Sequence, residues 1–320
     1  MANDARRLRL GILLDYLGMA LVLLGLVLFF GLSTQRFLTL TTFTTIANQV
    51  PAAIVVAVGM TYVLIIGGID LSVGSVLGVS GAVLGVCLVN LSLPWPAAVA
   101  ACLLTGLACG AVNGLVTVWW GLPSFIVTLA MLEIARGGAG LVTNQRTIYF
   151  GDRLEVMRTT IGDLSVSFWI AIAVAVVGQL VLAKTVFGRY MVAIGTNEEV
   201  VRLSGIRTWP IKLAVFAISG LLASLAAVMD SARFNSALPE AGTGFELQAI
   251  AAVVIGGTSL MGGRGSVLNS VFGVLIMVVL QAGLIQLGVA DPIKKLITGT
   301  VIVVAVILDR YRHRTQSAKL

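Results

Sequence analysis

The residues in this chain that could do chemistry are few, and most of them interrupt long apolar stretches. Asp70 follows Gly67-Gly68 and precedes Leu71-Ser72-Val73, where its carboxylate can cap the helix that begins there or contact a solute. Glu133 and Arg136 stand three residues apart, the spacing of a structural ion pair on one helix face. Glu246 and Gln248 open another apolar stretch, where a glutamate suits the positive end of a helix dipole or lines the mouth of a path. Asn113 lies in Gly106-x-x-x-Gly110-x-x-Asn113-Gly114, a small-residue spacing typical of close helix packing. A charged group at the membrane centre costs roughly 2.5–3.5 kcal/mol on insertion scales, so each such residue is a functional candidate by default. Asn48, Gln49, Asp70, Ser72, Asn113, Phe125, Thr128, Glu246 and Gln248 form the candidate set for a solute path, and their sparse polarity suits a neutral polyol.

Several kinds of chemistry are missing. No Gly-x-x-x-x-Gly-Lys-Ser/Thr run is present to cradle a nucleotide, and no His-Glu-x-x-His to hold zinc. The single histidine, His313, sits in a polar tail. Cys87, Cys102 and Cys109 fall inside apolar stretches without Cys-x-x-Cys spacing, which indicates neither a disulfide framework nor a metal site. The expectation is a chain that is no enzyme, with no catalytic residue, metal or cofactor; nucleotide chemistry, if used, must come from another chain.

The elements that position these residues follow from composition. Of 320 residues, 58% are hydrophobic and 11% charged, against about 25% charged in soluble domains. Mean hydropathy is +1.03. Such a surface belongs in lipid, and the apolar runs are too long and unbroken for the alternating strands of a membrane barrel. A span needs about 20 apolar residues. On that measure the chain is an all-α integral membrane protein, a polytopic bundle of about ten transmembrane helices near 11–32, 44–66, 72–90, 94–119, 122–143, 167–186, 212–230, 245–259, 265–288 and 292–308. Residues 1–320 form a single transmembrane domain. Pro51 should kink the second span. Of the 21 Lys and Arg, thirteen fall in segments on the side of the N-terminus, seven on the other, and Arg136 within a span. That bias places both termini in the cytoplasm of a bacterial inner membrane. The net charge of +7 is scattered between spans, which excludes a nucleic-acid surface and leaves lipid as the surrounding partner.

The longest inner segment, 184–212, contains a short amphipathic helix at about 197–204. Thr196 and Glu199 have capping-box spacing, Gly205 supplies a stop, and Val200, Val201 and Leu203 form a small apolar face beside Asn197, Glu198 and Arg202. It either lies on the membrane surface or docks in a groove of a cytoplasmic protein. Thr243 and Glu246 share the capping-box spacing. An internal echo joins Ile66-Gly67-Gly68, Leu71 and Gly74-Ser75-Val76-Leu77 to Ile255-Gly256-Gly257, Leu260 and Gly265-Ser266-Val267-Leu268. It fits a duplicated helical hairpin or convergent glycine-rich turns.

Four stretches carry a resemblance: Thr61–Leu77, Gly121–Leu129, Phe187–Ile206 and Glu246–Val267. They resemble, in order, the permease subunits of bacterial ABC importers for simple sugars, of the ribose, xylose, arabinose and galactoside type. The resemblance implies a second permease copy or paralogue, a cytoplasmic tandem ATPase that binds ATP and Mg, and a periplasmic sugar-binding protein. It also implies that Asn197, Glu198, Glu199, Val200, Val201, Arg202 and Gly205 dock the ATPase. Val200-Val201 stand where such loops usually carry two alanines, and Gln248 where many relatives carry an acidic residue. An ion-coupled secondary transporter and a permease for a nucleoside or signalling furanose are the alternatives.

Overall fold

The structure, a computed structural model, describes residues 2–317 and the side chains of residues 17–304, 306 and 307. Arg6, Arg7, Arg9, His313 and the basic C-terminal tail lie outside the described side chains, so the charge bias at the termini is not tested by them. Among the described residues the helices are α1 (Ala2–Ser33), α2 (Leu40–Gln49), α3 (Pro51–Ile65), α4 (Val73–Val89), α5 (Trp95–Trp119), α6 (Ser124–Thr143) and α7 (Glu155–Arg158). They continue with α8 (Val166–Lys184), α9 (Val186–Leu203), α10 (Trp209–Phe234), α11 (Phe245–Ile255), α12 (Val267–Gln286) and α13 (Asp291–Ser317). A 3-10 turn at Gly151–Leu154 and four two-residue strands complete the inventory: β1 (Ile148–Tyr149) pairs antiparallel with β4 (Ser236–Ala237), and β2 (Thr160–Ile161) with β3 (Leu164–Ser165).

Each of the ten expected spans contains a helix, but they are unequal. Helices α5, α6, α8, α10 and α12 are long and apolar enough to cross a membrane alone. Helices α2 and α3 make a sixth crossing, bent by 44° at Val50-Pro51, where proline removes a backbone donor from the ladder. The part of α1 over Leu17–Ser33, and helices α4 and α11, are shorter. At 1.5 Å per residue the 11 residues of α11 rise about 16 Å, against a hydrocarbon core of about 30 Å. The expected span at 245–259 is therefore a half-span, preceded by the non-helical stretch 238–244.

That irregular stretch is covered by protein. Gly74, Gly78, Gly81 and Gly85 recur at helical spacing on one face of α4, and the chain from Ser236 to Gly244 runs along it. A Cβ at Gly85 would stand 2.7 Å from Ala237 Cβ, one at Gly78 would stand 2.9 Å from Ala241 O, and one at Gly74 would overlap Gly242 O. Non-helical backbone at membrane depth persists only where protein or a watery cavity covers it. Here the glycine face supplies the cover.

Helix α3 forms the centre of the core, with every residue except Ala53 buried. The most extensive helix pair is α5 with α10. Gly106 meets Ser224, Gly110 meets Gly220, and Gly114 meets Leu213, so the pair runs antiparallel at backbone contact, as the small-residue spacing predicts. The five tryptophans mark two interfaces. Trp119, Trp120 and Trp209 lie at helix ends on the face carrying the 184–212 segment, the loop face; Trp95 and Trp169 lie on the opposite face. All five are exposed, the arrangement of an aromatic belt.

Candidate functional site

The 184–212 segment folds as expected in outline. Helix α9 breaks at Asn197, whose backbone leaves helical geometry (φ −161°, ψ 98°). Asn197 caps the short distal helix, its Oδ1 accepting from Val200 N at 3.1 Å. The expected Thr196–Glu199 capping box is corrected on this point: Thr196 Oγ1 donates to Val192 O, and Arg202 Nη2 donates to both Glu199 oxygens at 2.7 and 2.8 Å. Gly205, at φ +80°, ends the helix. Glu198 turns back toward α10, accepting from Lys212 Nζ at 3.0 Å and Thr208 Oγ1 at 2.9 Å. Partial burial opposes its charge, but the Lys212 ammonium and the Thr208 hydroxyl outweigh that and hold its carboxyl below the ordinary range. The expected apolar face divides: Val201 is buried, while Val200 is 56% and Leu203 78% exposed.

The root of this helix is keyed into the bundle. Gly263 N donates to Ile65 O at 2.8 Å. A Cβ at Gly195 would overlap both of those atoms, and one at Gly262 would stand 2.8 Å from Gly195 O and 3.0 Å from Gly67 N. The Gly67 turn and the Gly262-Gly263 turn thus meet the α9 chain at one junction, with backbone touching backbone.

Asp70, Ser72, Asn113 and Thr128 also come together, in a fully buried polar cluster. Asp70 Oδ1 accepts from Ser72 N at 3.0 Å and Ser72 Oγ at 2.6 Å, and Oδ2 accepts from Ser219 Oγ at 2.8 Å. Asn113 Nδ2 donates to Ser72 Oγ at 2.9 Å. Thr128 Oγ1 accepts from Leu71 N at 3.0 Å, and Ser124 Oγ from Ile69 N at 2.9 Å. Asp70 does not cap α4 directly; Ser72 occupies the cap position without a side-chain bond to the helix, and Asp70 fixes Ser72. The cluster clamps the non-helical 67–72 stretch to α5, α6 and α10.

Glu133 and Arg136 do not pair among the described residues. Glu133 is exposed, and Arg136 Nη1 donates to Ala241 O at 2.8 Å and Pro239 O at 3.3 Å. Arg136 thereby pins the descending stretch 238–244 against α4, because free carbonyls there attract it more closely than an exposed carboxylate. The Thr243–Glu246 capping box is likewise absent: Gly244 caps α11, and Thr243 Oγ1 donates to Glu240 O. Glu246 Oε2 is buried without a hydrogen-bond partner among the described residues. It lies against Gly74 in the first turn of α4 and belongs to the first turn of α11, so two helix dipoles converge on it.

Other candidates scatter. Asn48 is engaged, donating to Asp163 O at 3.4 Å and accepting from Ser165 N at 2.8 Å, which fastens the β2–β3 hairpin. It still borders a cavity of about 210 Å³ on the opposite face with Gln49, Arg158, Asp230 and Arg233. Gln248 borders a separate narrow space of about 30 Å³. Phe125 is exposed at the start of α6, apart from both. Sequence reasoning passed over Ser124, Ser219, Gly195 and Gly263. The only signal for them was a small or polar residue inside an apolar run.

The bent second span, the half-span α11, the clamped turns and the exposed loop-face helix define a multi-pass helical membrane protein. Residues 42–306 match the family described as branched-chain amino acid transport system / permease component, and the chain belongs to it. It is 39% identical over 305 residues to the ribose import permease protein RbsC of Escherichia coli K12, covering 92% of this chain and 93% of that protein. It is 34% identical to the D-allose transport system permease protein AlsC of the same strain, covering 97% and 96%. With the autoinducer 2 import system permease protein LsrC of Shigella flexneri it shares 32% identity, covering 90% and 85%.

Proposed function

We propose that this chain is the translocation subunit of an ABC importer, carrying a monosaccharide or related polyol into the cytoplasm by alternating access. The observation that carries the reading is the loop-face helix: Val200 and Leu203 are exposed on its surface, while its root is keyed at Gly195 to the end of α3 and to the Gly262-Gly263 turn. A small apolar patch beside the Glu199–Arg202 pair suits a groove on another protein. ATP and Mg belong to that protein, a tandem ATPase; this chain supplies the path and the handle. The loop face and both termini then lie in the cytoplasm of the bacterial inner membrane. A second permease copy or a paralogue completes the path, and a sugar-binding protein delivers from the opposite face. The likeness to permeases named for ribose and allose supports a simple sugar; that to the autoinducer 2 permease supports a signalling furanose as a second reading.

The test is reconstitution of the chain with a tandem ATPase and a sugar-binding protein. D-ribose, D-allose and the furanosyl signal are offered in turn to proteoliposomes. ATP-dependent accumulation of one of them is expected. Accumulation that persists without ATP, or follows an imposed ion gradient, would replace this reading with an ion-coupled carrier.

A further inference from the structure

Four of the glutamines that border two spaces on the opposite half of the molecule make no hydrogen bond among the described residues: Gln35 and Gln49, which are exposed, and Gln248 and Gln281, which are partly buried. An unsatisfied amide facing hydrocarbon costs several kcal/mol in lipid, so their placement calls for water or a ligand. Gln49 borders an open basin of about 910 Å³ on the opposite face, together with Thr41, Thr45 and Gln286. Gln248 and Gln281 border the narrow space of about 30 Å³ with Ala53 and Phe245.

The two spaces lie along the same helix faces. Ile46, Gln49 and Ala53 follow one another at helical spacing down α2 and α3, and Ile285, Ala282 and Val278 do the same on α12. Thr41, Thr45 and Gln49, at four-residue spacing, extend the polar edge upward along α2. The two spaces are thus aligned along one groove line between α2–α3 and α12, the narrow one lying where the half-helix α11 begins at Phe245.

Its lining gives the ligand class. Apart from Arg36 at the rim, the polar groups in both spaces are threonine hydroxyls and glutamine amides. Each amide offers one acceptor and two donors, which matches hydroxyl groups that both give and accept hydrogen bonds. Gln286 is already set, its Nε2 donating to Thr42 Oγ1 at 3.0 Å. The other four, Gln35, Gln49, Gln248 and Gln281, are open.

We propose that this groove is the solute path of the permease, and that Gln248 and Gln281, with the Phe245 ring, form the constriction that reads the hydroxyls of a neutral polyol. The proposal rests on the transport reading and adds its route and its selecting residues.

The experiment uses the assembled complex with Cys87, Cys102 and Cys109 replaced by alanine and one cysteine introduced: Thr45→Cys, Gln281→Cys, or Leu141→Cys as a lipid-facing control. A charged, membrane-impermeant methanethiosulfonate should label positions 45 and 281 but not 141, and D-ribose with its loaded binding protein should slow labelling at 281 at least tenfold. Gln281→Leu should cut the initial uptake rate at least tenfold, with Gln281→Asn recovering part of it. No labelling at 281 in a complex that still accumulates sugar would overturn the groove, as would unchanged uptake in Gln281→Leu. Labelling is read whether or not sugar accumulates. A complex that labels at 45 and 281 but imports nothing therefore upholds the groove and removes the sugar-import reading instead.

Discussion

Gly110 and Gly137 both lie inside apolar helices, and the structure gives the same substitution opposite signs at the two positions. A Cβ at Gly110 would stand 3.0 Å from both Cα and N of Gly220 and overlap Phe216 O; at Gly137 nothing lies within 4 Å. Carbon atoms rest about 3.5–4.0 Å apart, so Gly110→Ala must part α5 from α10 by about 0.5–1 Å. A gap of that size forfeits about a quarter to a half of each contact's dispersion well, and overpacking of this kind costs about 1–3 kcal/mol. Alanine returns about 1 kcal/mol of helix propensity at either site, so that gain cancels in the comparison. Gly110→Ala should therefore be less stable than Gly137→Ala by about 1–3 kcal/mol. At about 2–4 °C per kcal/mol, their melting temperatures in one detergent should differ by about 2–12 °C. The parting also moves Asn113 and Ser219, which hold Ser72 and Asp70, so uptake should fall further than stability alone dictates. Equal melting temperatures, or the reverse order, would refute the backbone-contact account of the α5–α10 pair.

Gly195→Ala should leave the ATPase attached but lower sugar uptake at least tenfold, measured as uptake per ATP hydrolysed in proteoliposomes; an unchanged ratio would detach the junction from coupling. Leu203→Asp should abolish co-purification of the ATPase while shifting the chain's own melting by no more than about 0.5 kcal/mol, as exposed substitutions do. The Glu198–Lys212 pair should contribute about 0.2–1 kcal/mol, because Glu198 is 43% exposed. Its folded carboxyl titrates below the unfolded value of about 4.3, so the contribution is present above that pH and disappears as pH falls through the lowered folded value. Glu198→Gln should therefore differ from the parent near pH 7 and converge with it in acid, and a constant difference across that range would contradict the assignment.

How much of this was readable beforehand depends on whether a feature is local. Span positions follow from apolar runs, the bend at Pro51 from one residue's missing donor, and the α5 contact from a glycine spacing. The short helix before Gly205 was announced by its stop and its polar start, though its cap is Asn197 and not the expected Thr196–Glu199 box. The failures have a common cause. Glu133 and Arg136 are close in sequence, yet Arg136 is drawn to carbonyls of residues more than a hundred positions away, which helix spacing cannot reveal. The half-span at Phe245 looked whole because apolar composition continues through the turn that follows it. Asn48 was polar in an apolar stretch for a structural reason, the hairpin it fastens. The glycine face of α4 was visible at positions 74, 78, 81 and 85, but what it receives, a strip of irregular backbone, is a tertiary fact.

The internal echo shows what is repeated. Val63 O accepts from Gly68 N at 2.9 Å, and Val253 O accepts from Thr258 N at 3.1 Å; Gly67 and Gly257 take the left-handed position at φ +75° and +85°. Both turns are Schellman stops. Their structural register pairs Gly67 with Gly257, one residue away from the register of the echo, which pairs Gly67 with Gly256. The common device is thus a helix stop; the Gly67 stop and the Gly262-Gly263 turn that follows the Gly257 stop meet at Gly195. From that junction two arms run inward. One passes through the Asp70 clamp to the start of α4, and the other passes back along α11 to Gly244 and Glu246. The arms meet where Gly74 touches Gly242. Interiors packed backbone to backbone transmit displacement without absorbing it in side-chain rotamers. On the proposed reading, a push on the exposed helix at Val200 and Leu203 would arrive by both arms at the first turn of α11, beside Gln248 and Gln281, so that a motor docked on one face would act on the proposed constriction.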